Sequence, residues 1–108
     1  MIDARRMEVF TAIYNSSLQE ILTTQAMILD ENSFESFAIN SQIICMGSGA
    51  IKFRSIAKHS NFSFMESIDY TQAFVQLTYQ QFLNKQFLDV SNSVPMYVKQ
   101  VFTTASKK

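Results

Sequence analysis

With 108 residues, 47% of them apolar and 17% charged, the chain has the composition of one globular domain and not of a disordered segment. Nine Lys and Arg balance nine Asp and Glu, and zero net charge argues against a generic phosphate-binding surface, which needs a basic excess. The single cysteine, Cys45, excludes an internal disulfide and fits a reducing compartment. Strictly apolar runs reach four residues, as at Ile43 to Met46, far short of the ~20 residues that span a bilayer. No basic stretch followed by an apolar one opens the chain, so no signal peptide is visible. The expectation is a soluble cytoplasmic domain.

Ten phenylalanines and four tyrosines are a large apolar load for this length. A domain of this size buries only about two thirds of its unfolded surface, so some rings are expected outside or against something else. A strand beginning at residue 2 is also abrupt, since domains more often open on a few loose residues. Both features suggest a piece of a longer protein.

In chain order, Ile2 to Tyr14 reads as a hairpin of two β-prone runs around the charged turn Asp3-Ala4-Arg5-Arg6. From Met7 onward the residues alternate. Met7, Val9, Thr11 and Ile13 point one way and Glu8, Phe10, Ala12 and Tyr14 the other, with apolar groups on both faces, as in a strand covered on both sides. Asn15-Ser16-Ser17 is a turn signal, and Leu18 to Thr24 a weaker strand. Asn32, three residues ahead of Glu35, has capping-box spacing for a helix over Ser33 to Ile39 that buries Phe34, Phe37 and Ala38. Gln42 to Met46 reads as a buried strand entering the turn Gly47-Ser48-Gly49-Ala50 and then a helix. That helix is expected to take Ile51, Phe53 and Ile56 inward and leave Lys52 and Arg54 in water. Lys58 to Ser63 is loop-like, and Phe62 and Phe64 belong to a short extended piece.

Ser67 or Asp69 caps the longest predicted helix, Tyr70 to Asn84. Tyr70, Ala73, Phe74 and Leu77 share one face, and Val75, Tyr79 and Phe82 a second, roughly opposite one. A helix apolar on two sides is packed on two sides, here against the sheet and against another helix or a partner. The tail Val94 to Lys99 is expected to be extended and fixed by Pro95. Three antiparallel strands, a helical crossover and a parallel fourth strand, with packed helices, form an α/β mixed sheet. This is the ribonuclease-H-like arrangement, which is also one half of the actin-like ATPase folds.

No chemical constellation is complete. Gly47-Ser48-Gly49 could bind phosphate at a helix start, but the dinucleotide pattern needs a third glycine and the Walker Lys-Ser/Thr pair is absent. A tight strand-to-helix turn is the better account. His59 is the only histidine, so no two-histidine metal site can be built within the chain, and it lies in a polar loop without an evident catalytic partner. Cys45, within an apolar strand, reads as a buried inert thiol. Asp3, Arg5, Arg6 and Glu8 form the one charged cluster at a strand end. They are either a partner-facing turn or a salt-bridged hairpin tip, and on residues alone the tip is favoured. The second face of the late helix, Val75, Tyr79 and Phe82, is either a partner interface or buried beside the Ile51 to Ile56 helix.

The stretch Ile2-Asp3-Ala4-Arg5-Arg6-Met7-Glu8-Val9-Phe10 resembles the I-D-A-R-x-x-E-V-[FY] hairpin of the bacterial TsaB (YeaZ) family. Cys45 to Ala50 is similar to that family's strand-to-glycine-turn segment and Tyr70 to Asn84 to its late helix. Pro95-Met96-Tyr97-Val98-Lys99 is similar to its closing P-x-Y-[LV]-[RK] segment, followed by a basic tail as in Lys107-Lys108. The I-D-T-[AS] strand and G-P-G-S-[FY]-T-G loop of the family's N-terminal half are not found. The resemblance therefore implies a single domain over residues 1–108 equivalent to the C-terminal half, in the glycoprotease-like, actin-like ATPase superfamily.

The resemblance further implies a non-catalytic scaffold in tRNA processing, needed to make threonylcarbamoyladenosine beside the anticodon. It implies no cofactor or metal. The implied partners of the full-length parent are a TsaD-like catalytic subunit and a TsaE-like ATPase, with tRNA met only through the complex. Self-association of the fragment is expected because apolar surface is left uncovered. The two other readings are a ribonuclease-H-like metal- or nucleotide-binding enzyme domain, with Asp3 and Glu8 as its acids, and a dimerising interaction module.

Overall fold

The computed structural model describes residues 1–100. The basic tail, Lys107-Lys108, lies outside the described residues. The elements are β1 (Ile2–Asp3), β2 (Glu8–Tyr14), β3 (Glu20–Ile28), α1 (Glu35–Ala38), β4 (Ile43–Cys45), α2 (Ala50–Arg54), β5 (Phe62–Phe64) and α3 (Tyr70–Leu83). The chain divides into two compact units, Met1–Glu66 with the stretch from Tyr97 onward, and Ser67–Met96.

The first unit is a small mixed α/β structure. β1, β2 and β3 form an antiparallel sheet in that order, with Ile2 opposite Phe10 and Glu8 opposite Ile28. β4 and β5 form a parallel pair, Ile43 opposite Phe62 and Cys45 opposite Phe64, with α2 between them in sequence. The expected parallel strand therefore exists, but its regular ladder is with β5 in a second sheet. Met1 links the two sheets. Its ammonium donates to the Met46 carbonyl at 2.6 Å, and its carbonyl accepts from the Gly49 N–H at 3.2 Å.

β2 follows its pattern. Val9 and Thr11 are buried on one face and the opposite face is half-buried until Tyr14. The turn after it is built by Asn15, whose Oδ1 accepts from the Ser17 and Gln19 N–H groups at 3.0 and 2.9 Å, while Leu18 takes a positive φ of 61°. β3 starts later than expected and runs four residues beyond Thr24, to Ile28, because β2 offers partners as far as Glu8. Its pattern is local and weak, and the ladder decides its length.

The capping box does not form. Asp30, Asn32 and Ser33 satisfy one another instead: Ser33 Oγ donates to Asp30 Oδ1 at 2.9 Å, and the Asn32 N–H donates to the same carboxylate oxygen at 3.0 Å. Such side-chain-to-backbone bonds compete with helix. α1 therefore starts at Glu35 after Phe34 at φ 63°, and Phe34 and Ala38 are still buried.

The core gathers on Phe53, which is 0% exposed and joined by Val9, Leu29, Phe34, Cys45 and Ala50. Its ring meets Phe34 edge-on at 5.3 Å and Phe62 at 4.9 Å, the geometry that aromatic quadrupoles prefer. α2 is only five residues long, which corrects the expected burial of its face. Phe53 and Ile56 turn inward, but Ile51 is 78% exposed.

In the second unit, Asp69 caps α3, its carboxylate accepting from the Thr71 N–H at 2.9 Å. All fourteen helix residues are exposed, and within this unit neither of the two apolar faces expected to be packed is covered. After Leu83 no further strand or helix follows in this unit to cover it. The expectation of outward rings holds at Phe74, Phe82, Phe87, Tyr70 and Tyr79.

Candidate functional site at the opening hairpin

The hairpin turn joins β1 to β2 through two backbone bonds, Ala4 N–H to Glu8 O and Glu8 N–H to Arg5 O, both 3.1 Å, with Arg6 at φ 57°. The first turn of α2 brings Lys52 beneath it. The Lys52 ammonium donates to the Ala4 carbonyl at 2.8 Å and the Glu8 carbonyl at 3.2 Å, and ion-pairs with the Asp3 carboxylate. Only 21% of its side chain is exposed, which corrects its expected position in water. Arg54, by contrast, is exposed as expected and pairs with Glu66. A lysine can fill such a position because its three donors suit three converging oxygens.

Glu8 is held from another direction. Lys99 Nζ donates to both of its carboxylate oxygens at 2.8 Å. The expected extended tail thus has a definite anchor, although Val94 to Lys99 forms no strand. Arg5 and Arg6 are exposed, and no ion pair engages them among the described residues. Of the four charged residues singled out in the sequence, the two acids are neutralised by lysines distant in the chain and the two arginines are presented outward. The salt-bridged tip and the outward-facing turn are two aspects of one arrangement. Lys52 and Lys99 were not legible as members of the cluster, since no local spacing connects them to it.

The glycine turn is part of the same construction. Ser48 Oγ accepts from the Asp3 N–H at 2.9 Å. A Cβ on Gly49 would come within 2.8 Å of Val9 Cγ1 and 3.2 Å of the Ile2 carbonyl carbon. The glycines let the start of α2 approach β1, and the turn's hydroxyl and amides are used in doing so.

Beside the hairpin an open groove of about 530 Å³ runs between Met7, Leu29, Ile56 and Lys58, with a Lys58–Glu31 ion pair at its rim. His59 Nδ1 accepts from the Asn61 N–H at 3.2 Å and its ring lies edge-on to Phe62. Burial pushes the Cys45 thiol up to about 11, the nearby Met1 ammonium opposing this. Burial also lowers the Met1 ammonium from its ordinary value of 8.0, and Cys45 counteracts that shift. Among the described residues no group of three or more His, Cys, Asp or Glu gathers as metal ligands.

The remaining candidates, Val75, Tyr79 and Phe82, lie exposed on α3 in the second unit. With Phe74 and Thr78 they line a shallow apolar concavity. Phe74 thus lies at the seam between the two apolar faces rather than on the far one. No helix among the described residues is long and apolar enough to cross a membrane. Comparison of the sequence with protein-family models, curated proteins and solved structures finds no match.

Proposed function

We propose that the chain is a non-catalytic, cytoplasmic scaffold of TsaB (YeaZ) type with ribonuclease-H-like topology. It corresponds to the C-terminal half of a subunit serving threonylcarbamoyl transfer to the adenosine beside the tRNA anticodon. The observation that carries this reading is the Glu8–Lys99 ion pair. The two most specific segments of the resemblance, Ile2 to Phe10 and Pro95 to Lys99, stand at opposite ends of the described chain and are bonded to each other. In this reading the hairpin clamps the closing segment, and Arg5 and Arg6 are offered to a partner. A TsaD-like catalytic subunit and a TsaE-like ATPase belong to the whole assembly, through which tRNA is reached.

The test is co-expression of this chain with the N-terminal half of a TsaB-type protein and a TsaD-like subunit. Co-purification and restored formation of the modified nucleoside are expected. Failure to associate with either component overturns the proposal.

A specific observation also favours a dimerising interaction module. From Tyr70 to Leu83 there is no charged side chain, and Phe74, Val75, Tyr79 and Phe82 are all at least 60% exposed. A second copy can cover this face without bringing like charges together. Sedimentation decides it, because a clean monomer at high concentration removes the reading. The enzyme reading has less support, since Asp3 and Glu8 are each held by a lysine ammonium. Heat released on calorimetric titration with Mg²⁺, Mn²⁺ or ATP would revive it.

A further inference from the structure

β3 has an outer edge. The sheet runs β1-β2-β3, and no other strand among the described residues pairs with β3. Leu29 N–H donates to Met7 O at 2.8 Å, so residue 29 is turned to β2. Strand alternation turns Met27 and Gln25 the same way and leaves the N–H and C=O of Ile28, Ala26 and Thr24 on the outer edge. Such a row of backbone groups is a template for another strand. Its sequence does nothing to repel one, since Ile21 to Leu29 contains no charged residue and no proline.

One end of this edge is closed by the chain itself. β3 takes three steps from Gln25 to Leu22 while β2 takes two from Thr11 to Ile13. It then takes two steps from Leu22 to Glu20 while β2 takes one from Ile13 to Tyr14. Extra residues of this kind bend a strand. In a straight strand residues four apart stand about 13 Å from each other, beyond the span of a glutamate. Here Glu20 Oε1 accepts from the Thr24 N–H at 2.8 Å and from the Thr24 hydroxyl at 3.3 Å. The carboxylate occupies a donor that a pairing strand needs, while Ala26 and Ile28 stay open beside it.

We infer that Glu20 is a gate on a self-pairing edge. With its carboxylate in place β3 stays unpaired; without it, the Thr24–Ile28 edge joins the same edge of a second copy, as strands do at an open sheet edge. An antiparallel pair with its two-fold axis at Ala26 sets Ala26 opposite Ala26 and Thr24 opposite Ile28. All of these residues face outward, so each opposed pair exchanges both backbone bonds. The outward set maps onto itself, and no like charges meet within the paired stretch, which is why a second copy is the occupant. The inference uses the geometry of the first unit alone and is independent of the proposed function and of the α3 face.

The test measures amide exchange at Ala26 and Ile28 in dilute and concentrated samples of the whole chain and four variants. In Glu20→Ala, raising the concentration is expected to slow exchange at both amides by about tenfold or more. Glu20→Ser, which shortens the side chain without adding apolar surface, should do the same. The wild-type chain and Glu20→Gln, whose side-chain carbonyl still accepts a hydrogen bond, should show no dependence on concentration. Adding Ala26→Pro to Glu20→Ala removes an outward donor without touching the ladder to β2, and should abolish the effect at Ile28. Concentration-independent exchange in both Glu20→Ala and Glu20→Ser overturns the proposal. So does Glu20→Gln behaving like Glu20→Ala, because charge and not the bond to Thr24 would then guard the edge. Protection that survives Ala26→Pro overturns it as well, since the copies would then meet elsewhere.

Discussion

The Lys99 ammonium lies 2.8 Å from both carboxylate oxygens of Glu8, across 91 positions of sequence. The pair closes the first unit on itself by tying the residue that begins β2 to the stretch after Tyr97. Glu8 is the less exposed partner, 19% against 42% for Lys99. Removing the lysine therefore leaves a carboxylate only partly reached by water.

Lys99→Met and Glu8→Gln are each expected to destabilise the chain by about 1 kcal/mol or less, given the exposure of the lysine. In a double-mutant cycle followed by urea unfolding, the double variant should cost less than the sum of the singles. The difference should shrink in high salt. Strict additivity would show that the pair contributes nothing.

Lys52→Met should cost more than Lys99→Met, about 2–3 kcal/mol, because two carbonyls and the Asp3 carboxylate lose one shared donor. Asp3 is half exposed and can turn to water; the Ala4 and Glu8 carbonyls are less able to. Urea midpoints of the two variants under the same conditions give the ranking, and the reverse order would show that the hairpin does not depend on Lys52.

Gly49→Ala should destabilise by about 1–3 kcal/mol through overpacking, since its Cβ would approach Val9 Cγ1 at 2.8 Å. Val9→Ala removes that atom, so the double variant should be more stable than the sum of the single losses implies. Gly47→Ala should be worse than Gly49→Ala. It adds a strained φ of 95° to a collision with the Met1 carbonyl.

Cys45 should resist alkylation at pH 8 in the folded chain and react once urea unfolds it, because only the thiolate attacks. The thiol's ordinary value of 9.0 is raised to about 11 by burial, the opposing pull of the Met1 ammonium being smaller. Below about pH 9 it is protonated in both states and adds no pH dependence. Between 9 and 11 the unfolded chain loses this proton first, so stability falls as pH rises. Unfolding of the native chain and of Cys45→Ala across this window should differ by that slope. Parallel curves would show an unburied thiol.

The sequence by itself determined what short-range pattern can carry. The alternation of Met7 to Tyr14 specifies a strand with apolar groups on both faces, Asn15-Ser16-Ser17 a turn, and Ser67 or Asp69 a helix cap. The apolar run before Gly47 specifies a strand that ends in a tight approach. These depend on neighbours within a few residues, and the structure forms each of these elements, but the Gln42 to Met46 run expected to be buried leaves Ile44 57% and Met46 42% exposed. Tertiary structure decided the rest. The lost capping box is a local exception: Asp30, Asn32 and Ser33, two and three positions apart, bonded to one another in its place. The ladder with β2 carried β3 on to Ile28. Lys52 and Lys99 became members of the charged hairpin from 44 and 91 positions away. No local period encodes such partners, because a salt bridge or a strand edge is specified by where the chain returns in space and not by what stands beside it in sequence.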